Sequence, residues 1–298
     1  MNKRKRRKYI KDTVKGWGLF LPSLIFMSIF TFYPFINTFV LSFYKKKLST
    51  KVAVFNGFNN YTRAFSDAVF NKSTTNTLSF CAIVIPLSLI LGLLFAYMLN
   101  KKIPGRSAFR AMIFYPNISP MVGFYLVWMY LLAADIGYIN RILQCIGLPT
   151  HNWLNDSKTV LYTLAAIYIW REAGYMMLFY LSGLQGIDES YYEAATLDGA
   201  NEWQKFKKIT FPLLMPTTVY TLTLSITSSV QLIDPIAILT SGGPNNSSTM
   251  VMYYIYKKAF SDFDYGMAST YSVLLLIVLL TVICIQHFSM DKLTHYES

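Results

Sequence analysis

Six mostly apolar stretches, each long enough to cross a lipid bilayer, divide this sequence and leave few folds open to it. They run from about Trp17 to Phe43, Thr77 to Leu99, Ala111 to Leu132, Thr159 to Gly183, Phe211 to Leu239 and Met267 to His287. A bilayer core holds no water to satisfy exposed backbone groups, so each stretch must close its own hydrogen bonds. The expected fold is therefore an all-α polytopic membrane protein with six transmembrane helices. Charge content agrees: 14% of the 298 residues are charged, against about 25% in an average soluble domain. That is too few to coat a soluble globule, and a chain this apolar is not intrinsically disordered. Cys81, Cys145 and Cys284 are too sparse to form a disulfide framework.

The net charge of +12 would suggest nucleic acid in a soluble protein. In a membrane protein the placement of the basic residues matters more. The run Lys3-Arg4-Lys5-Arg6-Arg7-Lys8 precedes the first apolar stretch as in a signal peptide. That stretch is too long for a signal core and lacks a small-x-small cleavage site, so it reads as an uncleaved first span. With the N-terminus inside, 16 of the 27 Lys and Arg fall in inner segments and ten in outer ones, Arg171 lying within a span. This bias puts both termini in the cytoplasm, with Lys45-Lys46-Lys47 arguing the other way locally. The expected organisation is a tail over 1–16, a transmembrane domain over 17–288 and a second tail over 289–298.

Several spans carry proline: Pro22, Pro34, Pro86, Pro116, Pro120 and Pro235. A packed kink is the plain reading; a helix broken beside a pathway is the functional one. Charges are rarer still within spans and usually face protein or a water-filled cavity. Arg171-Glu172 sits mid-way along the fourth stretch, and Asp234 late in the fifth. A site for a polar solute can combine charged or amide groups with stacking aromatics. Trp170, Glu172 and Tyr175 supply that mixture on the fourth stretch; Gln231 and Asp234, at i and i+3, share one face of a continuous fifth helix. These five are the candidate substrate-pathway residues, with ion pairs or hydrogen bonds to a companion subunit as the competing role for the charges.

The connection over 184–210, between the fourth and fifth stretches, is longer than two spans require, and long ordered loops are usually functional. Ser190 and Glu193 have capping-box spacing, which predicts a helix from about Tyr191. Gly199 suits a left-handed helix end, and Asn201 with Gln204 offers a second box. The result is a helical hairpin on the inner side. Ala194 and Ala195 give it a low-relief face for another protein. Alternatively it lies on the inner leaflet, with Lys205, Lys207 and Lys208 meeting lipid phosphates.

Glu193-Ala194-Ala195, Asp198-Gly199-Ala200, Phe206, Ile209, Pro212 and Pro216 closely resemble the EAA loop of ABC importer permeases. The resemblance extends over most of the chain and points to the carbohydrate-uptake branch. Tyr33-Pro34, Ser42-Phe43, Gly57-Phe58-Asn59-Asn60-Tyr61, Asn76-Thr77-Leu78, Phe109-Arg110, Pro116, Ser119, Trp128, Leu181-Ser182-Gly183-Leu184-Gln185 and Leu239-Thr240-Ser241-Gly242-Gly243-Pro244 are similar to its signatures. Ser182, where Ala is usual, and Phe211, where Leu is usual, depart from the pattern. What the resemblance implies is a type I ABC importer permease architecture for a binding-protein-dependent importer of sugars or oligosaccharides. It implies four partners: a second homologous permease subunit in a heterodimer, a cytoplasmic ATPase dimer, an extracytoplasmic solute-binding protein, and the lipid bilayer of a bacterial cell membrane. Glu193, Ala194, Ala195, Asp198, Gly199 and Ala200 then couple the ATPase to the spans.

Absent motifs fit that division of labour. The chain has no G-x-x-x-x-G-K-[ST], so ATP and Mg are expected on the partner ATPase, with no cofactor on this chain and no enzymatic activity. His151, His287 and His295 have no metal-ligand spacing. A secondary transporter would usually show internal repeats, and a channel a filter-like ring; neither is evident. Glycerol phosphate, amino acids or peptides are the alternative substrates within the ABC class.

Overall fold

The structure is a computed structural model that describes residues 3–50, 52–101 and 103–290, with side chains from residue 13 to 289 within those segments. Lys51, Lys102, Lys292, the tail from 291 onwards and the side chains of the basic run lie outside the described residues. The described chain is predominantly helical and divides into two compact units.

One unit comprises residues 1–64 and 258–274. Helix α1 (Lys3–Met27) continues through a π-helical turn, Ser28–Phe32, into α2 (Tyr33–Leu41). The turn comes just before Pro34, which has no N–H to continue the α-ladder and whose ring crowds the carbonyl four residues back. None of the apolar window in Thr13–Leu41 is buried within this chain. A two-residue antiparallel pair follows, β1 (Tyr44–Lys45) with β2 (Val54–Phe55). Beside it begins α3 (Asn59–Ser66). The Gly57-to-Tyr61 motif acts as a knot: Asn60 Nδ2 donates to the carbonyls of Ser42 and Tyr44 at 2.9 and 3.0 Å. Phe58 and Tyr61 pack against Phe43 at ring separations of 5.4 and 5.5 Å. Lys47 pairs with Asp264 at 3.2 Å, so part of the basic run that opposes the charge bias is neutralised locally.

The other unit comprises 65–257 and 275–298. Its axis is α4 (Ala68–Asn100) packed on α8 (Val160–Gln185). Asp67 caps α4, accepting from the N–H groups of Val69 and Phe70 at 2.9 and 3.2 Å. Buried positions on α4 (Phe70, Ser73, Thr77, Phe80, Val84, Ser88, Gly92, Ala96, Leu99) recur every three or four residues and form one stripe. Phe80 meets Tyr168, and a Cβ on Gly92 would lie 2.6 Å from that of Met176, so the two helices run parallel and nearly touch. At its far end α4 is closed by Arg110, whose guanidinium donates to the Leu99 carbonyl at 2.8 Å.

The third apolar stretch is two helices, α5 (Arg106–Ile118) and α6 (Met121–Leu131), separated at Ser119-Pro120. Next come α7 (Tyr138–Cys145) and then α8. A hairpin of α9 (Glu189–Leu197) and α10 (Glu202–Lys205) leads through a second π-helical turn, Phe206–Thr210, to α11 (Phe211–Leu213) and α12 (Met215–Val230). That π turn precedes Pro212 by the spacing seen at Pro34. A continuous fifth helix, expected from the sequence, is contradicted: the chain leaves α12 at Gln231 and resumes as α13 (Asp234–Leu239), with Pro235 in its first turn. Pro235 can occupy a helix start, but in the interior it would clash with the carbonyl of Gln231. Pro22, Pro86 and Pro116 lie within helices, whereas Pro120 and Pro235 stand at breaks. The chain finishes with α14 (Val251–Phe260) and α15 (Tyr265–Met290).

Four helical segments are long and apolar enough to cross a membrane: Thr13–Leu41, Ala68–Asn100, Met215–Leu239 and Tyr265–Ser289. Helix α8, with 26 residues, is long enough but less apolar, because Arg171-Glu172 and several tyrosines interrupt it.

Candidate functional site: a capped hairpin and a polar helix centre

The hairpin begins at Asp188, not at Ser190. The predicted Ser190–Glu193 box is contradicted: Asp188 is the N-cap and its carboxylate accepts from the Ser190 N–H at 2.8 Å. The extended backbone of Asp188 allows this, and its charge also favours the helix N-terminus. The Ser190 N–H holds the Asp188 carboxyl below its ordinary value. The capping contribution is complete above the unfolded-state value and is lost as pH falls through the lowered folded-state value.

Helix α9 ends in a Schellman motif. Gly199, at φ +76°, donates to the Thr196 carbonyl at 3.1 Å, and Ala200 donates to the Ala195 carbonyl at 2.9 Å. The Asn201–Gln204 box is present with both bonds at 2.9 Å, so the N-cap of α10 stands two residues after the left-handed Gly199. The Tyr192 hydroxyl meets Thr210 Oγ1 at 2.9 Å and ties the hairpin arms together. Glu193, Ala194, Asp198 and Gly199 are exposed, with Ala195 and Ala200 half-buried. Leu197 between them is 90% exposed, and Trp203 on α10 is 69% exposed. Caps at both ends thus make a rigid ridge with apolar side chains facing out.

The centre of α8 is braced from three sides. Asn117 on α5 donates to the Arg171 carbonyl at 2.8 Å, and Arg171 donates to the Tyr125 hydroxyl of α6 at 3.4 Å. A Cβ on Gly174 would meet the Ile113 carbonyl, so the α5 backbone lies directly against α8. On the other side, Glu172 is buried at 7% exposure, with Ser228 of α12 3.2 Å from its Oε1. Arg171, Glu172 and Asp234 form no ion pair among the described residues.

The five pathway candidates do not converge into one contact set. Residues two apart on a helix point about 200° apart, and Trp170 and Glu172 accordingly take opposite sides. Trp170 stacks on Phe124 (5.6 Å, 21°) and meets Trp128 edge-on (5.6 Å). It borders a groove of about 400 Å³ at the α5–α6 break, lined also by Tyr115, Ser119 and Phe124. Tyr175 is 38% exposed and packs on Phe179. Gln231 and Asp234 are exposed at the α12–α13 break, so no shared helical face aligns them. Sequence reasoning did not select Phe124, Tyr125 or Tyr115; the pair Pro116 and Pro120 was the signal for a broken helix there.

Broken apolar helices surround buried charge and join a rigid hairpin with an exposed apolar ridge, and comparison with known proteins assigns this arrangement to the membrane subunits of ABC importers. The profile of the binding-protein-dependent transport system inner membrane component family matches residues 88–293, and the chain belongs to this family. It is similar to the lactose transport system permease protein LacF of Rhizobium radiobacter, at 33% identity over 90% of this chain and 92% of the relative. It is also similar to the trehalose/maltose transport system permease protein MalF of Thermococcus litoralis, at 31% identity over 91% and 92%. Among solved structures, a chain of a bacterial alginate ABC transporter, crystallised in complex with an alginate pentasaccharide-bound periplasmic protein, matches with TM-score 0.85. That match has 23% identity and covers 96% of this chain and 97% of the other.

Proposed function

We propose that this chain is a six-span permease subunit of an importer for sugars or oligosaccharides, with both termini cytoplasmic. It pairs with a second homologous permease, above a separate ATPase dimer that holds ATP and Mg and below an extracytoplasmic solute-binding protein. The chain performs no hydrolysis itself. The observation that carries this reading is the rigid exposed hairpin, in a chain whose relatives across nearly its full length are named for lactose and trehalose/maltose transport. Its residues Glu193 to Ala200 form the docking ridge for the ATPase. Because caps fix both ends of α9, a push on the ridge passes to α8 and α12 instead of being absorbed by fraying.

Solute passes along the exposed side of α8. Trp170, with Phe124 and Trp128, offers sugar faces an aromatic wall; Asp234 and Gln231 offer hydroxyls hydrogen-bond partners at the α12–α13 break. Tyr175 extends the wall, and buried Glu172 holds α12 through Ser228. Alternating access then amounts to movement of the broken helices about the braced centre of α8.

The test is affinity capture of the tagged chain from its native membrane in mild detergent, followed by mass spectrometry. Recovery of a P-loop ATPase and a second permease is expected, with Glu193→Arg and Gly199→Val each losing the ATPase while keeping the permease partner. A folded chain that purified alone and transported solute without ATP would overturn the reading.

A further inference from the structure

Two apolar grooves flank the basic end of α4, apart from the pathway residues and from the Glu193 to Ala200 turn. The first, about 420 Å³, runs between α4 and the arm that follows the hairpin turn; Leu94, Trp203 and Phe206 line it. The second, about 520 Å³, lies between α4 and α5; Met98, Phe109 and Ile113 line it. Tyr97 lines both and forms the ridge between them. Its ring is held edge-on by Phe206 at 5.5 Å, and Phe206 stacks on Trp203.

At the top of this ridge the Lys101 ammonium stands 5.5 Å over the Tyr97 ring. Lys101 is exposed and forms no ion pair among the described residues. Two other basic groups at this end are engaged: Lys205 pairs with Glu202 at 3.1 Å, and Arg110 donates to the Leu99 carbonyl. From Ile90, at the deep end of the first groove, to Lys101 is about 16 Å along the helix axis. One leaflet of a bilayer with a hydrocarbon core of about 30 Å has nearly that depth.

We propose that this end of α4 binds one anionic diacyl phospholipid, with an acyl chain in each groove and the phosphate at Lys101. Two apolar troughs, the first reaching about leaflet depth from Lys101, are separated by the Tyr97 ring and topped by one cation, which matches the shape and charge of that molecule. They match a soluble solute poorly, because the walls offer almost no polar atoms. Trp203 and Phe206 belong to the hairpin arm, so the bound lipid braces that arm against α4. Only this consequence rests on the hairpin's proposed role; lipid retention does not.

The test uses the intact complex, delipidated and then equilibrated with equimolar phosphatidylglycerol and phosphatidylcholine before native mass spectrometry. Phosphatidylglycerol is expected to be retained preferentially. Lys101→Ala is expected to lower its retention about fivefold, the loss of one basic residue at a membrane surface, with phosphatidylcholine unchanged. Lys101→Arg should keep the preference, which separates loss of charge from misfolding. In membranes, a photo-crosslinker in place of Met98 should yield lipid adducts. Equal retention of the two lipids, indifference to Lys101→Ala, or crosslinks to a protein chain would each overturn the proposal.

Discussion

A few residues carry more than local structure. Trp170 and Asp234 are exposed, whereas Glu172 is buried. Trp170 packs on Phe124 and Trp128, and Asp234 forms no ion pair among the described residues. Asp234→Ala removes a charged hydrogen-bond partner worth about 1.5–3 kcal/mol, so uptake should fall about 10- to 100-fold with partner capture unchanged. Trp170→Ala should weaken uptake in the same direction. Radiolabelled sugar uptake alongside affinity capture checks both, and unchanged uptake in the two variants would remove α8 and α13 from the pathway. Residue identity also explains where capping was misread from sequence. Asp188, Ser190 and Glu193 all have cap chemistry, and only the extended backbone at Asp188 decides among them.

At the scale of elements, α8 is the hub, and glycines set how near its neighbours come. Gly92 brings α4 against Met176, Gly174 admits the α5 backbone, and Gly183 leaves room for Thr217 of α12. Gly92→Leu should therefore destabilise the fold by about 1–3 kcal/mol through overpacking. Gly18→Ala, with open space around its Cβ position, should be neutral. Thermal denaturation in detergent distinguishes them: a lowered midpoint is expected for the first only, and equal midpoints would show that the α4–α8 seam tolerates expansion. Which residue faces Gly92 was not legible in the sequence, because Met176 lies on a different span. The apolar stretches were legible because the bilayer demands length and hydropathy. The breaks at Ser119-Pro120 and Gln231 were not, because proline is compatible with either a packed helix or an interrupted one until neighbouring backbone positions are known.

For the whole molecule, orientation is the property with the clearest handle. Cys145 is exposed at the end of α7, in the segment that the charge bias places outside. A membrane-impermeant maleimide should label it in cells with a permeabilised outer barrier and an intact cytoplasmic membrane, and Cys145→Ser should abolish that labelling. Labelling that required lysis of the cytoplasmic membrane would invert the topology and place the hairpin outside, away from any cytoplasmic ATPase. The exposed apolar helix Thr13–Leu41 belongs to this scale too, since its environment is supplied by lipid or a partner.

The sequence by itself determined the membrane-embedded helical class, the hairpin with its left-handed Gly199 turn, and the family. Hydropathy, capping chemistry and the EAA pattern are local properties, written within a few tens of residues. Only the tertiary structure decided that Trp170 and Glu172 serve opposite sides of α8, that Gln231 and Asp234 flank a break, and that Tyr97 divides two grooves beneath Lys101. Each of these depends on which helix lies beside which, and at what register. Helix–helix contacts in a bilayer are set by side-chain shape and close backbone approach, with little help from hydrophobicity, because lipid and protein are equally apolar there.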